Sequence, residues 1–463
     1  MIRFLLGLLL FAGAAQLSSR ADDMVIRFCP GALYFPGRAP LGTGEPLTGF
    51  DRVARDFERE NPGVRIRFEM VPGSREYFLT QVANGTAPDV IQVNAEEIVQ
   101  DAGKGWYLPM DEWLDQPNPF EKTGLPWREA FAYPEVFAKR RAPDGKIYNL
   151  CYDINETAIY YNKTEWRKRG FALPETWEEF VEIMRQIRDS GLPPINTGLD
   201  FHVDWNLDLF FDQIYISEYA SMFPERDFQV RSAANLTGVE MAKLFRKGYF
   251  QAGDPRFREL WRLIKEFRDF APPDITHSEP FRDFLTGRTL MFWNSSFFAY
   301  RLRVMRPDFE WGIFYPPPMT KETTPFAMPT PFASLGGAGT QYAVTRAAWA
   351  DTGDPATSPR LATVMRFLQW ISAPEQYVRI VGERPMMLPI LRGLPLPPEL
   401  QDFEQILRRR SAPIRWYSLF DLRFRDNLRR NAEMFLNGYA SLDEFLLTQE
   451  QNFRLASPPE GER

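Results

Sequence analysis

The side chains able to do chemistry in this chain are unevenly supplied. Among 463 residues there are two histidines, His202 and His277, and two cysteines, Cys29 and Cys151. That starves a His/Cys zinc or iron site and histidine acid–base catalysis alike. The 61 acidic residues leave an all-carboxylate calcium site and a two-carboxylate glycosidase site open. No Gly-x-x-x-x-Gly-Lys-Ser/Thr loop occurs, so ATP hydrolysis by a P-loop is not expected. Tyr160-Tyr161 reads as core strand rather than as an iron-binding tyrosinate pair. The arginines at 408–410, 423, 425, 429 and 430 read as solvated helix faces, because a net charge of −6 argues against general attraction to phosphates or anionic lipid.

A chain that is 44% hydrophobic and 25% charged can bury a core in each of two or three domains. Met1-Ile2-Arg3, the apolar run Phe4–Ala15, and Ser19 and Ala21 before Asp22 have the order of a signal peptide over residues 1–21, too short to anchor in a bilayer. Cys29 follows Phe28, not the small residue that lipid attachment prefers, so a free periplasmic protein is expected. Export keeps two states of Cys29 and Cys151 open, a disulfide or two reduced buried thiols.

Strands are predicted over 25–29, 64–71 and 89–93, with helices over 49–61 and 75–84 between them. This βαβαβ unit implies a parallel sheet. Further strands are predicted at 145–150, 158–161, 289–293 and 341–345. Helices are predicted at 164–170, 177–190 (opened by the Thr176/Glu179 capping box), 236–247, 255–270 and 359–372, and across 413–455.

Several stretches in this order resemble the family 1, sugar-type extracellular solute-binding proteins of ATP-binding-cassette importers. They are Phe57-Glu58-Arg59-Glu60-Asn61-Pro62-Gly63-Val64, Gly85-Thr86-Ala87-Pro88-Asp89-Val90-Ile91, and Gly145-Lys146-Ile147-Tyr148 through Tyr161-Asn162-Lys163. Leu173-Pro174-Glu175-Thr176-Trp177-Glu178-Glu179-Phe180, Phe284-Leu285-Thr286-Gly287-Arg288-Thr289-Leu290-Met291 and Gly336-Gly337 follow. The resemblance implies an α/β, type II periplasmic-binding-protein fold, with two lobes closing on a ligand by hinge motion. It implies crossings near 151–153, 335–337 and 384–389. Lobe one would then be 22–152 with 337–384, and lobe two 153–336 with 385–463. The loop 30–47 is longer than the family's first turn, and Cys151 stands where the family has proline.

Sugars offer ring hydroxyls and apolar C–H faces, which call for carboxylates, amides or Arg at the edge and aromatic planes against the face. Asn94 and Glu96 follow the third strand, where open α/β sheets bind ligands. The resemblance adds Asp153 and Asn155 after the first crossing, and Trp205 beyond it. It also adds Trp293 (or Phe297) with Asn294 and Ser295, Gly337 (with Gly336) as a close backbone approach, and Trp416 with Arg415 as a further aromatic wall. The expected function is a non-catalytic monomer, with no cofactor, metal or nucleic acid. It would capture a mono- or oligosaccharide and deliver it to permease subunits in the inner membrane. A non-sugar solute (polyamine, peptide or organic acid) on the same fold, or a glycoside hydrolase using Glu96 and Asp153, are the alternatives.

Overall fold

A computed structural model describes residues 23–42, 44–70, 75–94, 97–98, 101–132, 141–142, 144–224, 236, 238–328, 337–409 and 422–457. The expected signal peptide, Glu96, Gly336, Arg415 and Trp416 lie outside the described residues.

The first sheet has the order β2 (Val64–Phe68), β1 (Met24–Cys29), β3 (Val90–Gln92), β11 (Gln341–Val344), β4 (Leu150–Cys151). The first three strands are parallel, and β11 runs antiparallel between β3 and β4. Helix Gly49–Glu60 turns Phe50, Val53, Ala54 and Phe57 inward, the i, i+3, i+4, i+7 stripe its sequence carries. Helices Pro359–Ile371 and Pro374–Val381 pack beside it. Phe57 meets Phe367 at 5.1 Å and Trp370 at 6.1 Å between ring centroids. Buried Asp89 accepts from the Arg27 backbone N–H at 2.7 Å and pairs with Arg360 at 2.6 Å, so this carboxylate pins the far helix to β1.

The second sheet has the order β7 (Ile195–Asn196), β8 (Met291–Ser295), β6 (Thr157–Asn162), β9 (Trp311–Phe314). β6 is buried along its whole length, and the Tyr160 hydroxyl donates to the Ser295 carbonyl at 2.9 Å. Helices Leu199–Met222 and Pro255–Arg268 pack together on this side. The C-terminal pair Leu422–Leu436 and Leu442–Ala456 packs onto them.

A small antiparallel sheet joins the two. β5 (Asp153–Asn155) lies between β10 (Gly337–Ala338) and β12 (Leu388–Pro389), with Gly337 opposite Asn155 and Pro389 opposite Asp153. The Asp153 carboxylate accepts from the Tyr34 hydroxyl at 2.7 Å and the Thr340 N–H at 2.6 Å, and its carbonyl accepts from the Gly339 N–H at 2.9 Å. The Tyr377 hydroxyl donates to the Tyr152 carbonyl at 2.8 Å and accepts from the Ile390 N–H at 2.9 Å, tying two of the three strands' flanks together.

One expectation is corrected, and one open alternative is decided. The strand predicted at 145–150 is confined to Leu150–Cys151, because the Ile147 N–H donates to Asp111 and its carbonyl accepts from the Met110 N–H, which spends its backbone on a loop. No disulfide joins Cys29 and Cys151: both are buried thiols, and that of Cys151 donates to the Asp153 carbonyl at 3.2 Å. They sit on β1 and β4 with β3 and β11 between them. Three inter-strand steps are roughly 14 Å, about twice what a disulfide spans.

Gly339 has no room for a side chain, as a Cβ there would overlap Asp153 Oδ1 and Met387 Cε. Gly339→Ala should therefore cost about 1–3 kcal/mol in urea unfolding, the usual range for overpacking. Gly103→Ala, which meets nothing within 4 Å, should be near neutral. Equal effects of the two substitutions would refute the tight hinge.

Candidate functional site

β7 and β8 are parallel, so their C-terminal ends, Asn196 and Ser295, lie on one side. Ser295 is registered against Thr157, two positions beyond β5, so this end of the second sheet faces the joining strands. Ligands of open α/β sheets bind beyond such strand ends. A cavity of about 600 Å³ opens there. Its floor is Phe292 and Asn294 of β8 and the turn Thr197-Gly198-Leu199 after β7. Its walls come from Ser278–Arg282 and from Phe298, Arg301 and Met305 of helix Phe297–Met305.

The turn is built by Asn196, whose Oδ1 accepts from the Gly198 N–H at 3.0 Å while its Nδ2 donates to Ser278 at 2.9 Å and Asp283 at 2.8 Å. Gly198 takes φ 80°, which L side chains adopt rarely, and lets helix Leu199–Met222 begin at the cavity with no side chain capping its first turn. The Thr197 hydroxyl is buried without a hydrogen-bond partner among the described residues. The rings of Phe281, Phe292 and Phe298 meet at centroid distances of 4.8–5.9 Å. The Arg301 guanidinium lies 4.3 Å from the Phe281 centroid and 5.2 Å from that of Phe298. Its Nε is buried without a partner, and burial pushes its pKa down. Glu279 and Arg282, at the rim, lie 4.0 Å apart and are exposed.

Among the described residues singled out from sequence, only Asn294 lines the cavity; its Oδ1 accepts from the Ser295 N–H at 2.9 Å. Trp293 is 1% exposed, with Nε1 3.4 Å from Thr157 Oγ1 and its ring 5.5 Å from Trp205. The stacking role expected for Trp293 is thus corrected: strand alternation puts Phe292 and Asn294 on the cavity side and Trp293 on the opposite one. Trp205 packs against the same core. Phe297 joins Tyr300, Met386, Met387 and Leu33 in a separate apolar cluster between the loop 30–47 and the second sheet's side.

Asn155 and Ser296 meet at 3.2 Å beside the joining sheet, where Gly337 also sits. Ser295 is buried under Tyr160. Asn94 is half-buried, and its carbonyl accepts from the Glu97 and Ile98 N–H groups. The ligand contact expected of Asp153 is corrected too. The residue is 0% exposed, and each carboxylate oxygen is taken by a protein donor. Burial raises its pKa to about 6 against those two hydrogen bonds.

Thr197, Phe281, Phe298 and Arg301 were not foreseen. Phe298 and Arg301 stand one helical turn apart, a spacing that could have drawn notice. Phe281 comes from another helix and left no local signal.

A profile of the bacterial extracellular solute-binding proteins matches residues 43–378. The multiple sugar-binding protein of Streptococcus mutans is 23% identical over 270 residues, 57% of either chain. The chain thus spans little more than half the length of the curated relatives it matches, or less. Among solved structures, a chitin oligosaccharide binding protein superposes with TM-score 0.68 at 17% identity, covering 94% of this chain and 100% of that one. The sugar-binding protein MalE of Xanthomonas citri does so with TM-score 0.64 at 18% identity, covering 92% and 96%. These likenesses extend to the fold, two α/β lobes.

Two substitutions check the corrected assignments. Trp293→Ala should lower ligand-free stability by about 3–5 kcal/mol, the loss for a core tryptophan; a change near zero returns Trp293 to the binding surface. A carboxyl whose pKa rises on folding stabilises the fold below its unfolded pKa of 3.8, a contribution lost as pH climbs through about 6. Relative to Asp153→Asn, the protein should therefore lose up to roughly 3 kcal/mol between pH 4 and 7. Parallel stability curves for the two proteins would place Asp153 in contact with water.

Proposed function

The chain belongs to the bacterial extracellular solute-binding proteins, and from that premise we propose that it captures a mono- or oligosaccharide in the cleft. The observation that carries this reading is the cavity at the ends of β7 and β8. Phenyl faces suit the apolar side of a sugar ring, and an open Thr197 hydroxyl and the Asn294 amide suit its edge. The three-strand joint supports a hinge, since a sheet so narrow resists bending less than either lobe. On this reading lobe one comprises 22–152 and 337–384, and lobe two 153–336 and 385–463. The packing of Pro359–Val381 on the first sheet and of Leu422–Ala456 on the second side supports that division. The exported, closed monomer would hand its sugar to membrane permease subunits driven by a separate ATPase.

A thermal-shift screen against a sugar panel tests the reading. A true ligand at 100 times its Kd adds roughly 2.7 kcal/mol of stability. The same ligand should reduce the radius of gyration in small-angle scattering and leave the circular dichroism spectrum unchanged. A panel of neutral, acidic and phosphorylated sugars that moves neither quantity sinks the proposal. Release of product from a chromogenic glycoside would replace it with the hydrolase alternative.

A further inference from the structure

We propose, resting on the sugar-capture reading above, that the sugar carries an anionic group, carboxylate or phosphate, and that Arg301 reads it. Three independent features of one cavity lead there. The first is a cation without a counter-ion. Arg301 makes no ion pair or hydrogen bond among the described residues and is held by Phe281 and Phe298 alone, at 4.3 and 5.2 Å. Most of the described arginines are ion-paired; on the same wall Arg282 has Glu279, and beyond the wall Arg288 has Asp274 and Asp283. A ring face under a guanidinium leaves the N–H edges directed outward in the plane, the geometry that grips an anion's oxygens bidentately.

The second feature is the start of helix Leu199–Met222. It is 24 residues long, lacks a side-chain cap, and brings Leu199 to the same cavity. Its free N–H groups and dipole favour negative charge. The third is the Thr197 hydroxyl, 1% exposed and unpartnered, on the turn just before that helix. A buried hydroxyl left unpaired is costly, and a ligand oxygen relieves it. Summed over the lining, Glu279 offsets Arg282, which leaves Arg301 as the excess charge. A neutral sugar would leave that charge desolvated on closure; an anionic one neutralises it.

Calorimetric titration of the full chain at low salt decides the matter. The probes are galacturonate, glucuronate and glucose 6-phosphate, each beside its neutral counterpart: methyl galacturonate, methyl glucuronate and glucose. At least one anionic sugar should bind about tenfold or more tightly than its counterpart, as a charge-assisted hydrogen bond gives. The carboxylate and phosphate arms then name the source. Arg301→Gln should erase the preference for the anionic sugar over its neutral counterpart. Should that variant melt early for want of its cation–π contacts, Arg301→Lys keeps the charge and loses the planar fork; it should bind anionic sugars more weakly than the parent chain. Neutral sugars binding as tightly as acidic ones, or a preference that survives Arg301→Gln, overturns the assignment and leaves sugar capture standing. Binding by none of the six overturns both.

Discussion

One buried carboxylate holds the lobes in register. Asp153 begins the first strand that crosses between them, and its oxygens fasten the loop 30–47 through Tyr34 and the return crossing through Thr340. Gly339 lets that return strand pass against it. Placing a carboxylate where water cannot reach is expensive unless donors meet every lone pair that matters, so the surrounding chain has little freedom to drift. The aromatic pile of Tyr34, Phe50, Tyr152 and Tyr342 beneath the joint follows from the same requirement, because it excludes the water that would otherwise compete.

The cavity inherits its position from that joint. β6 continues from β5 after a single residue, β8 pairs with β6, and β7 with β8. Each step fixes which strand end faces the cleft and, by alternation, which side chains do. Phe292 and Asn294 fall on the open side, and Trp293 is committed to the core with Trp205. The lining of the cavity is thus set by parity along one short strand, and its chemistry by the neighbours that parity happens to meet.

Much of the scaffold was legible in the sequence because its signals are local. Phe50, Val53, Ala54 and Phe57 announce their helix, Thr176 and Glu179 cap another, and Val90-Ile91 reads as buried parallel strand. Helix Leu199–Met222 was not legible, since Asp204, Asp208 and Asp212 punctuate a run that is apolar on every side. Those carboxylates are buried against partners such as Tyr219 and Arg429, which pattern alone cannot supply. The site was hardest for the same reason. Asp153 looked available because a carboxylate after a crossing usually is, and only the long loop that delivers Tyr34 takes it out of play. Arg301 matters through what it lacks, and a missing partner is visible only in three dimensions.

The place of β11 has a consequence in time. Tyr342 lies against Gln92, and more than half the chain runs between them, yet β11 is what joins β3 to β4. Strands β1, β2 and β3 are made first and still form an incomplete sheet with an open edge until residue 344 arrives. Closing a loop of that length carries an entropic cost before any contact repays it. The lobe begun first is therefore completed almost last. Until then the edge of β3 is without the strand that covers it.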